Sequence, residues 1–101
     1  IPQVTKIIAE HLPSGDVTVE KTAAELFLST RKLQRLLQEE GTSFLTLLNE
    51  VRKDIAEQHV KNKDMDLTEI AFLLGFSEQS TFSRSFKRWT GMSPSSFRNA
   101  V

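Results

Sequence analysis

The chain repeats itself, and the repeat limits what it can fold into. Residues 22–29, Thr-Ala-Ala-Glu-Leu-Phe-Leu-Ser, lie over residues 70–77, Ile-Ala-Phe-Leu-Leu-Gly-Phe-Ser, at a constant shift of 48. Ala23 meets Ala71, Leu26 meets Leu74, Leu28 meets Phe76 and Ser29 meets Ser77. After a one-residue insertion Leu33 meets Phe82, Arg35 meets Arg84 and Leu37 meets Phe86. After one more, Thr42-Ser43 meets Met92-Ser93 and Leu47 meets Phe97. Self-similarity of this kind means one supersecondary unit used twice. Each copy reads as a short helix with a small Ala on its inner face, a tight turn, a Ser cap and a second helix. That is a helix-turn-helix, in which the small Ala lets the second helix cross closely.

The rest of the chain is helical too. The only β-favouring run, Val17-Thr18-Val19, is too short to carry a sheet. Residues 3–12 place Val4, Ile7, Ile8 and Leu12 at helical spacing and stop at Pro13-Ser14-Gly15. Thr18 can cap a helix to about Phe27, with Ala23 and Leu26 inward. Ser29 can cap the next, to about Glu40, which Gly41 ends. Residues 43–61 form the longest candidate, with Phe44, Leu47, Leu48, Val51 and Ile55 along one face. Asp66 with Glu69 resembles a capping box for a short helix through Leu74, broken by Gly75. Ser77 is expected to cap the helix that Gly91 terminates, and Ser93-Pro94 opens a last helix holding Phe97. The expectation is an all-α fold of about seven helices. Two helix-turn-helix subdomains, residues 1–41 and 63–101, are joined by a linker helix at 42–62.

Charge sharpens this. Thirteen Lys+Arg balance 13 Asp+Glu, which argues mildly against nucleic acid when taken whole. The distribution argues the other way. Residues 29–38 hold Arg31, Lys32 and Arg35 and no acid; residues 79–101 hold Arg84, Lys87, Arg88 and Arg98 and no acid. Two basic islands therefore sit in an acidic body. No Cys is present, which excludes a disulfide framework and a thiolate metal site and suits a reducing compartment. His11 and His59 lack partners at metal-ligand spacing, and Ser80 and Ser83 lack a His-acid arrangement, so neither metal, cofactor nor catalysis is expected. No apolar run approaches the roughly 18 residues of a membrane span, and no signal peptide is visible. Opening at Ile1 rather than Met suggests a piece of a longer chain.

A helical wheel separates core from surface in both second helices. With Phe82 at zero, Phe86 and Trp89 fall within about 40°, and Ser80, Ser83, Arg84 and Lys87 lie between about 100° and 200°. With Leu33 at zero, Leu37 lies beside it and Arg31, Gln34, Arg35 and Gln38 take the far side. Such residues suit base edges, because Arg pairs with guanine O6/N7 and Gln with adenine N6/N7. The linker at 43–61 rises roughly 28 Å. With the flanking turns, that can hold two reading helices about 34 Å apart, one turn of B-DNA.

These residues resemble the arabinose-regulator (AraC/XylS) class of bacterial transcription regulators. The likeness covers residues 3–100 and is densest in Ile70-Ala71, Gly75-Phe76-Ser77, Phe82-Ser83-Arg84, Phe86-Lys87, Gly91-Met92-Ser93-Pro94 and Phe97-Arg98. The resemblance implies two reading helices in adjacent major-groove segments of double-stranded promoter DNA. Base contacts would come from Arg31, Gln34 and Arg35 in the first copy and from Gln79, Ser80, Thr81 and Arg84 in the second. Phosphate contacts would come from Ser29, Lys32, Ser77, Lys87 and Arg88. It also implies a cytoplasmic, nucleoid-associated regulator, most often an activator, with RNA polymerase beside it and any small-molecule effector bound by a separate domain.

Two residues depart from the pattern. Phe27 stands where the second copy has Gly75. A bulky residue is unfavourable at φ > 0, so the first turn is expected to differ in detail from the second. Val60 stands where the class often has a Leu. The alternative function is a helical protein-interaction module that has lost DNA binding, which should expose apolar anchors on the outward stripes.

Overall fold

The computed structural model describes residues 2–100. It contains α1 (Pro2–His11), α2 (Val19–Glu25), α3 (Thr30–Glu39), α4 (Phe44–Lys61), α5 (Leu67–Leu73), α6 (Gln79–Thr90) and α7 (Pro94–Ala100). A 3-10 turn at Leu12–Ser14 follows α1, and no strand occurs among the described residues. The all-α expectation, with about seven helices, holds.

Most helices begin where a short polar side chain accepts an N–H that has no partner inside the helix. Thr18 accepts from the Lys21 amide at 3.1 Å and Ser29 from Lys32 at 3.0 Å. Ser43 accepts from Thr46 at 3.2 Å, Asp66 from Thr68 at 2.8 Å and Ser93 from Ser96 at 3.2 Å. α6 differs: its N-cap is Glu78, with no side-chain cap bond, and Ser77 lies one residue outside. The expected Ser77 cap is therefore corrected. The one-residue insertion in the repeat falls between Ser77 and the helix, so Glu78 takes the place that Ser29 holds in the first copy.

The turns after α2 and α5 share one hydrogen-bond pattern. Leu28 N–H donates to Ala23 O at 2.9 Å and Phe27 N–H to Ala24 O at 3.1 Å. Forty-eight residues on, Phe76 N–H donates to Ala71 O at 3.0 Å and Gly75 N–H to Phe72 O at 3.0 Å. This paired closure is a Schellman motif and needs a left-handed residue at its centre. Gly75 supplies it at φ 85 and Phe27 at φ 58. The expected difference between the turns is therefore absent. Phe27 adopts a conformation that costs an L-residue about 1–2 kcal/mol, and its side chain, 95% exposed, projects away from the protein.

Gly75 has a second reason to lack a side chain. A Cβ there would lie 2.8 Å from the carbonyl oxygen of Leu12 and 3.3 Å from the Cα of Gly15. The chain leaving α1 thus rests directly on the turn of the second unit. One core cluster runs through both units, from Val4, Ile8 and Leu12 through Leu33, Leu37, Leu47 and Val60 to Ile70, Leu74, Phe82 and Phe86.

The repeat is also longer than the helix-turn-helix. At the same shift of 48, Val4, Ile8 and Leu12 correspond to Arg52, Ala56 and Val60. α1 packs on α2 and α4 packs on α5, so each unit has three helices, and α1 and α4 pack on each other. The molecule measures 43 × 25 × 20 Å, and the 18 residues of α4 rise about 27 Å.

Candidate nucleic-acid interface

Aromatic packing fixes the direction of α6. Phe82 and Phe86 are fully buried with ring centroids 5.8 Å apart. Phe76 meets Phe82 at 5.7 Å and Trp89 at 6.2 Å, and Phe97 of α7 meets Phe86 edge-on at 5.1 Å. With that stripe inward, Gln79, Ser80, Arg84, Lys87 and Arg88 are exposed and Thr81 is half-buried. In α3, Leu33 and Leu37 are buried while Arg31, Lys32, Gln34 and Arg35 are exposed. Ser29 and Ser77 are exposed in the turns.

The outward cations are electrostatically uncompensated. Among the described residues the ion pairs between Lys or Arg and a carboxylate are Lys21 with Asp16 and Lys53 with Glu57 at 4.0 Å, and His11 Nε2 is hydrogen-bonded to Glu25 Oε1 at 2.5 Å. None involves Arg31, Lys32, Arg35, Arg84 or Lys87, so these charges remain available to an anionic partner. One carboxylate stands at the edge of the second stripe: Glu78 Oε2 accepts from the Ser80 hydroxyl at 3.4 Å. Among the described residues no cluster of three or more His, Cys, Asp or Glu could hold a metal ion. No helix among them is long and apolar enough to cross a membrane.

Residues 22–100 match the family model described as a helix-turn-helix domain. Similarity to known regulators extends over the same region. The ornithine utilization regulator of Pseudomonas aeruginosa is 44% identical over 88 residues, covering 87% of this chain and 26% of that protein. The chain belongs to the AraC/XylS-type helix-turn-helix family. The crystal structure of a DNA-binding transcriptional dual regulator from Escherichia coli K-12 has a TM-score of 0.91 at 28% identity. That match covers 97% of this chain and 87% of the other. The DNA-binding domain of AdpA, a global transcriptional factor, solved with a target DNA, has a TM-score of 0.83 at 28% identity. It covers 98% of this chain and 89% of the other. The chain spans about a quarter of the length of the curated relatives that it matches first.

Three polar residues of this AraC/XylS-type domain escaped the sequence reading. Arg98, counted in the second basic island, turns inward. Its Nε donates to Val60 O at 2.9 Å, and its Nη2 donates to Asn62 O at 3.2 Å and Met65 O at 2.7 Å. The island facing outward is therefore Arg84, Lys87 and Arg88. Arg52 occupies the core position that Val4 holds in the first unit. It donates through Nε to Leu74 O at 3.2 Å and lies 4.6 Å over the Phe76 ring. Burial lowers its pKa from the usual guanidinium value. Thr68 donates its hydroxyl to Oε1 of Gln79 at 2.6 Å. The shift of 48 was the signal for Arg52, since it aligns that residue with a buried Val; nothing local marks Arg98 or Thr68.

Proposed function

We propose that this AraC/XylS-type chain binds double-stranded DNA sequence-specifically as part of a bacterial transcription regulator, with α3 and α6 in adjacent major-groove segments. The observation that carries this is the pairing of two amphipathic second helices. Each is locked to the core by Leu or Phe, and each presents Arg, Gln and Lys to solvent without an ion-pair partner. Residues 1–41 form the first reading unit, 42–62 the connecting helix and 63–101 the second unit.

In this reading Arg31, Gln34, Arg35, Gln79, Ser80, Thr81 and Arg84 face base edges and carry sequence choice. Ser29, Lys32, Ser77, Lys87 and Arg88 face phosphates and fix register with salt-dependent affinity. The likeness to a domain solved on its target DNA supports the docking mode. The protein acts as a cytoplasmic regulator and not as an enzyme. RNA polymerase lies beside it on the promoter, and any effector binds elsewhere in the longer protein. An interaction module is disfavoured because the large exposed hydrophobics among the described residues, Phe27, Leu45, Phe72 and Leu73, lie outside both reading stripes.

Selection from random-sequence DNA with this chain, followed by binding titrations over salt, tests the proposal. The expected result is an enriched site spanning two adjacent major-groove segments, with affinity falling steeply as salt rises. No enrichment, or a flat salt response, overturns it.

A further inference from the structure

Three parts of the molecule meet at the turn between α5 and α6. Arg52 of α4 donates through Nε to Leu74 O at 3.2 Å, and its guanidinium lies 4.6 Å over the Phe76 ring. Phe76 in turn packs on Phe82 and Trp89 of α6. A Cβ on Gly75, between those two residues, would meet Leu12 O at 2.8 Å, Gly15 Cα at 3.3 Å and Arg52 Nη2 at 3.4 Å. The 3-10 turn that leaves α1 also packs on α5. The first unit has no counterpart to this junction. Val4 stands in the place of Arg52, and Phe27, in the place of Gly75, is exposed.

We propose that Arg52 is a positioning residue that sets the spacing between the two DNA segments this chain reads. It sits in α4, which packs on α1 of the first unit. Through Leu74 O and Phe76 it fixes the angle at which α6 stands to that linker. The exit of α1 seats the same turn from the first unit, so the second head swings only by breaking both contacts. Two heads on one chain reinforce each other only where their connection lets both engage at once. One base pair added between the segments moves them about 3.4 Å apart and turns one about 35° against the other. A clamped turn cannot follow that change. With Val in place of Arg52 the second unit keeps an apolar core, as the first does with Val4, but loses the two contacts that set its angle. This inference rests on the proposed function, because it requires both α3 and α6 to enter the groove.

The test starts from the site that random-sequence selection gives for the 101-residue chain, with one base pair inserted or deleted between its two segments. Affinities at fixed salt are measured for the parent, Arg52→Val and Val4→Ala, each below its thermal unfolding transition. The parent should lose about tenfold or more on either altered site, and Arg52→Val about threefold or less. Val4→Ala, which weakens the core of the first unit, should keep the parent ratio. If Arg52→Val does not fold, Arg52→Met, which keeps a stem over Phe76 without the hydrogen bond, is read in its place. An Arg52 variant with the parent ratio overturns the positioning role. Equal relaxation in Val4→Ala overturns it too, since lost stability would then be the cause. A parent indifferent to spacing overturns the fixed angle itself. Selection that yields no two-segment site fails the proposed function instead, and the inference falls with it.

Discussion

Arg98 donates through Nε to the carbonyl oxygen of Val60 at 2.9 Å, and so fastens the last helix to the end of the linker helix. The Val60 carbonyl lies in the last turn of α4, where no intrahelical donor remains, and the Asn62 and Met65 carbonyls that Nη2 meets lie in the connection to α5. A cation there also suits the helix dipole.

Arg98→Ala should therefore lower stability by about 1–3 kcal/mol, since bonds from a charged donor are lost and the carbonyl of buried Val60 loses its donor. Arg98→Lys should recover only part of this, because an ammonium cannot span three acceptors as a planar guanidinium does. Urea unfolding monitored by helical circular dichroism measures both. DNA affinity of the folded Arg98→Ala variant at low temperature should stay near the parent value, which separates this arginine from Arg84.

The two turn residues should respond in opposite senses. Gly75→Ala introduces a Cβ 2.8 Å from a backbone oxygen at φ +85, so the loss should reach about 2–4 kcal/mol, combining left-handed strain with a clash that backbone cannot easily relieve. Phe27→Gly relieves strain at an exposed site, partly offset by the freedom Gly gains on unfolding, and should stabilise by up to about 1 kcal/mol. Thermal melts of the two variants give the comparison directly.

Phe86→Ala should cost about 3–5 kcal/mol, because it empties a fully buried site between Phe82 and Phe97. Sequence-specific binding should fall with it, since these rings hold α6 in place. Phe72→Ser, at a half-exposed position of α5, should stay within about 0.5 kcal/mol of the parent. Chemical denaturation paired with a fluorescence binding assay distinguishes the two.

On the proposed docking mode, Arg84→Ala should relax base preference at one position by about 1–3 kcal/mol. Lys87→Ala should instead weaken all sequences alike and reduce the salt slope by about one. Titrations of both variants on matched and mismatched sites over a salt series measure this. Identical behaviour would show that the two side chains have been assigned the wrong roles.

Much of the fold was legible because it is local. The caps at Thr18, Ser29, Asp66 and Ser93 act within three residues, and the stripes Leu33–Leu37 and Phe82–Phe86 follow helical period. What escaped depends on distance or on a change of register. The partners of Arg98 lie 33 to 38 residues away in sequence, and those of Arg52 and Thr68 are set by how the helices cross. A charge count cannot tell an outward cation from one that caps a buried helix end. The Ser77 cap was misread because a one-residue insertion carries the helix start past it. Phe27 was misread for another reason: the turn's paired hydrogen bonds outweigh the strain that a bulky residue suffers there.

The repeat also has a consequence for geometry on DNA. Dimers related by a two-fold axis read palindromes and look alike from either end. Here the two heads follow in tandem, 48 to 49 residues apart, and carry different side chains. On the proposed reading, a site for this chain has a heading, like an arrow drawn along the promoter. Inverting the site would turn the whole molecule round without altering a single base contact.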